Sequence, residues 1–145
     1  MSEPFWLTLT VGGDLTNDTD QELLDLIEEQ GPETEPEIDE ETGHLTVQIP
    51  DVNYANLETV EAFCRKNHLS FNKWVDGKAG FDSIIAYWRP GMEYPGACTA
   101  NNDGQPVIRI SDVWEALVTA PDHSAITDLL EKTEPPDLPR YRIVD

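Results

Sequence analysis

No lysine or arginine precedes Arg65, although that stretch holds seventeen Asp and Glu; the other twelve acids and all nine basic residues lie between 65 and 145. The net charge of −20 therefore divides as −17 and −3. Clustered carboxylates without cations among them cannot neutralise one another and project a negative field toward cationic partners. The same shortage argues against direct binding of DNA, RNA or anionic lipid, because no cluster of cations is present to displace counterions. Adaptation to high salt also makes chains acidic and poor in Lys, and only four Lys are present. Such adaptation spreads over a whole surface, whereas here the excess is confined to one half.

Other absences narrow the chemistry. No apolar run approaches the roughly 20 residues that span a membrane. The N-terminus, MSEPFWLTLTVGG, lacks a basic segment ahead of an apolar one, so no signal peptide is expected. Two cysteines, Cys64 and Cys98, do not make a disulfide framework, and a cytoplasmic location with reduced thiols is the expectation. His44, His68 and His123 are far apart, and there is no HExxH, GxSxG or Walker A pattern. Cys64 and His68 stand at i and i+4, but two ligands are not a metal site; Cys64 suits a core and His68 a helix end. Thr99–Gly104 places Asn101, Asp103 and Gly104 as a calcium loop would, yet Thr99 and Ile110 occupy the places of its first Asp and bidentate Glu. No enzymatic activity, cofactor or specific metal is expected.

What is present is enough for one domain over residues 1–145, with four Trp, four Tyr and four Phe as anchors. Phe5, Leu7, Leu9 and Val11 alternate with Trp6, Thr8 and Thr10, which predicts a half-buried strand closed by Gly12-Gly13. Thr19–Glu22 reads as a capping box opening a helix whose apolar side is Leu23, Leu24, Leu26 and Ile27 and whose stop is Gly31-Pro32. Residues 32–43 are acidic and interrupted by proline, a mobile or extended loop. Residues 44–49 predict a second strand, Asn56 an N-cap, and Leu57, Val60, Phe63 and Cys64 one face of a second helix. Phe71–Val75 and Phe81–Trp88 predict a hairpin around Asp76-Gly77.

Residues 89–106 read as one long connection, and Val107–Ile110 as a short strand. A helix capped by Ser111 or Asp112 follows, bearing Val113, Trp114, Leu117 and Val118, and then a last helix over 124–132. The tail from Glu134 is an extended strap ending in an edge strand at 141–144. Trp74 and Trp114 are expected in the core. The class is α+β: a small mixed sheet of four to six strands with two to four helices mainly on one face, a ferredoxin-like variant with non-standard element order being one form.

Two surfaces are candidates for contact. Asp18, Glu22, Asp25 and Glu29 recur at intervals of four, three and four residues, which at 100° per residue keeps them within about 60° and spreads them over roughly 16 Å. Phosphates along a DNA strand recur at comparable spacing. No Lys stands at i+4 to pair with them, as an ordinary surface helix would often provide. Glu33, Glu35, Glu37, Asp39, Glu40 and Glu41 in the following loop extend the set. The second surface is the loop with Trp88, Arg89 and Tyr94, residue types common in binding hot spots.

In size, acidity and lack of catalytic residues the chain is similar to a functional class: phage- or plasmid-borne DNA mimics, anti-restriction and anti-CRISPR proteins, and immunity proteins against basic nuclease toxins. The expectation is an acidic inhibitor that occludes a cationic, nucleic-acid-handling surface on another protein, with no membrane or nucleic acid as direct partner. A non-catalytic assembly module using the loop 87–106 is the alternative.

Overall fold

A computed structural model describes residues 6–29, 35–50, 57–75, 83–101, 105–119, 124–133 and 135–144. The fold is built around β1 (Trp6–Leu15), which pairs antiparallel with β3 (Leu45–Pro50) on one side and β4 (Ser70–Val75) on the other. Period-two alternation puts Leu7, Leu9 and Val11 on one face, where Val47, Ile49 and Phe71 join them. Two helices close that face, α1 (Asn17–Glu28) and α2 (Glu58–Lys66). They contribute Leu23 and Ile27, and Val60 and Cys64, all fully buried. Each such Leu, Ile or Val side chain contributes about 1.5–3 kcal/mol on leaving water. Lys73 of β4 meets Glu61 of α2 at 3.2 Å and fixes the helix across the strand.

The sheet continues through β2 (Glu37–Ile38), β5 (Ser83–Trp88) and β6 (Gly96–Ala100) in the order β2-β3-β1-β4-β5-β6, all antiparallel. A seventh strand, β7 (Tyr141–Ile143), runs parallel to the end of β1. Because β3 and β4 both oppose β1, they run parallel to each other and are joined through α2, a split βαβ unit. Two further helices, α3 (Ile110–Thr119) and α4 (Ser124–Thr133), pack on one another, and α4 reaches the sheet at β6.

The α+β class is as expected, but the sheet has seven strands. Both extra strands come from segments read as loops: Glu37–Ile38 pairs with Thr46 and Leu45, and Gly96–Ala100 lies along β5. Conversely, residues 107–110 form no strand; α3 starts at Ile110. The N-cap of α2 is Leu57, not Asn56. Asn56, Gly31-Pro32 and Asp76-Gly77 lie outside the described residues.

β1 does not stop at its glycines, and the reason is the tail. Residues 135–144 pass over the end of β1 so closely that a Cβ on Gly12 would collide with the Pro139 carbonyl oxygen. Gly13 donates to the Arg140 carbonyl at 2.9 Å, and Val144 to that of Leu15 at 2.7 Å. Arg89 fastens the strap from beneath. Its guanidinium is buried and donates to the carbonyls of Phe71 (3.0 Å), Trp88 (2.9 Å), Asp137 (3.2 Å) and Pro136, and to Asn72 Oδ1 (2.9 Å). His44 Nε2 donates to the Leu138 carbonyl at 2.8 Å.

Candidate partner-binding surface

α1 begins one turn earlier than its capping-box pattern implies. Thr16 is the N-cap, its Oγ1 accepting from the Thr19 amide at 3.2 Å. Leu23 and Ile27 point into the core, and Leu24 and Leu26 flank them half-buried, so helical geometry turns the other side to water. Asp18, Glu22, Asp25 and Glu29 are all exposed along it. The ion pairs among the described residues, Lys73–Glu61 and Arg142–Asp14, leave these four out. Asp25 accepts from Gln21 Nε2 at 3.1 Å.

Asp18, in the first turn, suits the helix dipole, but the C-terminal half of the row works against the helix that carries it. The last turn holds acids and no basic residue, so negative charge meets the negative end of the helix dipole. Asp18–Glu22 and Asp25–Glu29 are like-charge pairs at i,i+4, each destabilising by about 0.2–0.5 kcal/mol.

From Glu37 onward the acidic segment is hydrogen-bonded to the sheet. β2 and β3 form a hairpin whose turn is built by Asp39: its Oδ1 accepts from the Glu41 amide at 2.8 Å and the Thr42 amide at 3.3 Å. Its carbonyl accepts from Gly43 at 2.7 Å. Gly43 sits at φ 73°, a left-handed position that suits glycine. Glu35, Glu37, Asp39, Glu40 and Glu41 are exposed, whereas Glu33 lies outside the described residues.

Tyr141 of β7 joins the two acidic elements. Its amide donates to the Gly43 carbonyl at 2.8 Å, and its hydroxyl donates to Asp20 in the first turn of α1. Burial first, and then the bond to Asp20, push the phenol well above its ordinary pKa, so it stays a donor. The hairpin turn and the start of the helix stripe therefore flank one strand. Arg142 is occupied there by Asp14, at 3.1 and 3.0 Å, and Arg140 packs beside Gly43.

The second candidate surface is largely dismantled by the structure. Trp88 is buried, stacks on Phe71 with centroids 6.2 Å apart, and donates its indole N–H to the Met92 carbonyl at 3.1 Å. Arg89 is the buried clamp of the tail, its pKa lowered by burial against the opposing influence of Tyr87 and Asp137. These two are structural because their contacts lie across the sheet and in the tail. Of the three, Tyr94 remains on the surface, 74% exposed.

Cys64 is fully buried, and burial, aided by Glu61, pushes its thiol up to about 12. His68 lies outside, in a left-handed conformation at φ 56° that ends α2: the Leu69 amide reaches back to the Cys64 carbonyl at 2.8 Å and the His68 amide to Arg65 at 3.3 Å. Among the described residues no three His, Cys, Asp or Glu gather as a metal site, and no helix is long and apolar enough to cross a membrane. An open furrow of ≈ 310 Å³ between α3 and α4 gathers Asp112, Glu115 and Asp128.

One surface escaped the sequence reading. Trp114, expected in the core, is 65% exposed, in line with Ile110, Leu117 and Val118. Their spacing signals an apolar face but not which way it points. The chain matches no protein-family model, no curated protein and no solved structure.

Proposed function

We propose that this protein is an acidic protein-binding inhibitor that covers a cationic, nucleic-acid-handling surface on a partner. The observation that carries the reading is the row Asp18, Glu22, Asp25 and Glu29, exposed and without a cation among the described residues, on a helix whose C-terminal end the last two work against. Tyr141 ties the hairpin that carries Glu40 and Glu41 to Asp20 in the first turn of the same helix. Lysines and arginines that normally hold phosphates would meet carboxylates at phosphate-like intervals. Access to nucleic acid is then blocked by occlusion, without chemistry.

Charge-driven association of this kind is fast and weakens steeply with ionic strength. Capture from host lysate at low and high salt, with identification of the captured proteins, tests the reading. A nuclease or other DNA-handling protein held only at low salt supports it. Salt-resistant partners without basic surfaces contradict it. Burial of Trp88 and Arg89 counts against the alternative of an assembly module that grips through residues 87–106.

A further inference from the structure

α3 faces the wrong way for a helix of a small domain. At 100° per residue, Ile110, Trp114, Leu117 and Val118 occupy a stripe of about 100°. They are 76, 65, 36 and 81% exposed, respectively. The opposite side of the helix, with Asp112, Ala116 and Thr119, borders the furrow against α4, and Glu115 stands exposed at its edge beside the stripe. Small and polar groups thus border a neighbouring helix while large apolar groups face water. Adjoining apolar side chains of this size mark interaction sites on soluble proteins, and nothing among the described residues covers them.

The stripe is a convex ridge with anchors at i, i+4, i+7 and i+8, the pattern by which amphipathic helices pack against apolar partners. Charge selects the occupant. A second copy would bring another net charge of −20. An antiparallel two-fold pairing centred on Trp114 would also set Glu115 beside its own mate. A cationic surface meets no such repulsion, and Glu115, exposed about 60° around the helix from Val118, offers it a carboxylate on the flank. We propose that the α3 ridge docks a basic amphipathic helix of a partner protein, apolar residues on Trp114 and Val118 and Lys or Arg reaching Glu115. The α1 stripe plays no part in this, so either reading can fail alone.

The probe is a short Leu/Lys peptide with Leu at helical spacing, beside a scrambled peptide of the same composition, followed at low salt by tryptophan emission against a Trp114→Phe reference. The amphipathic peptide should bind and shift Trp114 emission to the blue. Trp114→Ala and Val118→Ser should each weaken binding by about tenfold or more. Both side chains are exposed, so neither change threatens folding, which an unchanged melting curve would verify. Asp18→Asn with Glu22→Gln should leave the ridge affinity within about twofold. No binding, equal binding of the scrambled peptide, or indifference to Trp114→Ala overturns the proposal. So does sedimentation as a dimer that Val118→Ser dissolves, which gives the ridge to a second copy. Uptake by phosphatidylcholine vesicles with the same Trp114 sensitivity would overturn it in favour of a lipid surface.

Discussion

α1 and α3 are helices of twelve and ten residues, each with an apolar and a polar side, and they present opposite sides to water. In α1, Leu23 and Ile27 are sealed under the sheet and the carboxylates stand outside; in α3, Trp114 and Val118 stand outside and Ala116 is the buried residue. An apolar stripe makes a helix amphipathic, but only its partner decides which side is in. α1 has such a partner in the Leu9–Val47–Phe71 face, with α2 beside it. α3 rests mainly on α4. Both solvent-facing sides carry a cost, one through acids at the C-terminal end of α1 and one through exposed apolar area on α3, and both are therefore candidates for contact with other molecules.

The sharpest way to break this contrast is truncation. Leu23→Ala or Ile27→Ala should lower stability by about 2–5 kcal/mol, whereas Ile110→Ala or Val118→Ala should change it by less than about 0.5 kcal/mol, read as urea midpoints. Equal losses in both helices would show that α3 is packed like α1. Next comes the strap that holds the acidic edge together. Arg89→Met leaves several carbonyls without their donor and should cost roughly 1–3 kcal/mol, with earlier proteolysis of residues 135–144. Gly12→Ala, which drives a methyl into Pro139, should loosen the same segment.

The buried side of the contrast also titrates. The Cys64 thiol ionises near 9 when unfolded and is pushed up to about 12 in the fold. Its contribution is fully present below about pH 9 and is lost as pH rises toward 12. Tyr141, also raised, adds loss in the same direction. Cys64→Val should flatten the alkaline limb of a stability–pH curve.

Two smaller effects have the opposite sign. His68→Gly should stabilise by about 0.5–1 kcal/mol, because glycine takes the left-handed end of α2 without strain. Glu29→Lys should raise the melting temperature by the equivalent of about 0.3–1 kcal/mol, relieving both the helix end and the pair with Asp25. If the acidic row serves binding, that stabilised variant should hold its partner less well.

Much of the central sheet was legible because alternation is a local property: Leu7, Leu9 and Val11 declare their face without reference to anything else. β6 was not legible, since Gly96-Ala97-Cys98-Thr99-Ala100 is a run of small residues without alternation and becomes a strand through β5. α1 could be read, but two overlapping caps, Thr16 and the Thr19–Glu22 box, compete for its start, and the fold uses the first. The carboxylate row was visible from spacing alone. Its link to the hairpin was not, because Tyr141 lies more than a hundred residues from Asp20 in the chain. Trp88, Arg89 and Trp114 were misplaced for one reason: the contacts that bury the first two, and the want of contacts that exposes the third, are tertiary.

The central claim is that the α1 row competes with nucleic acid for a cationic surface. The direct measurement is displacement. A protein captured by the natural chain at low salt is challenged with duplex DNA, beside a variant carrying Asp18→Asn, Glu22→Gln, Asp25→Asn and Glu29→Gln. DNA should release the partner from the natural chain, and the variant should fail to capture it. Capture by the variant equal to the natural chain, or a partner that binds DNA and this protein at once, would contradict the account.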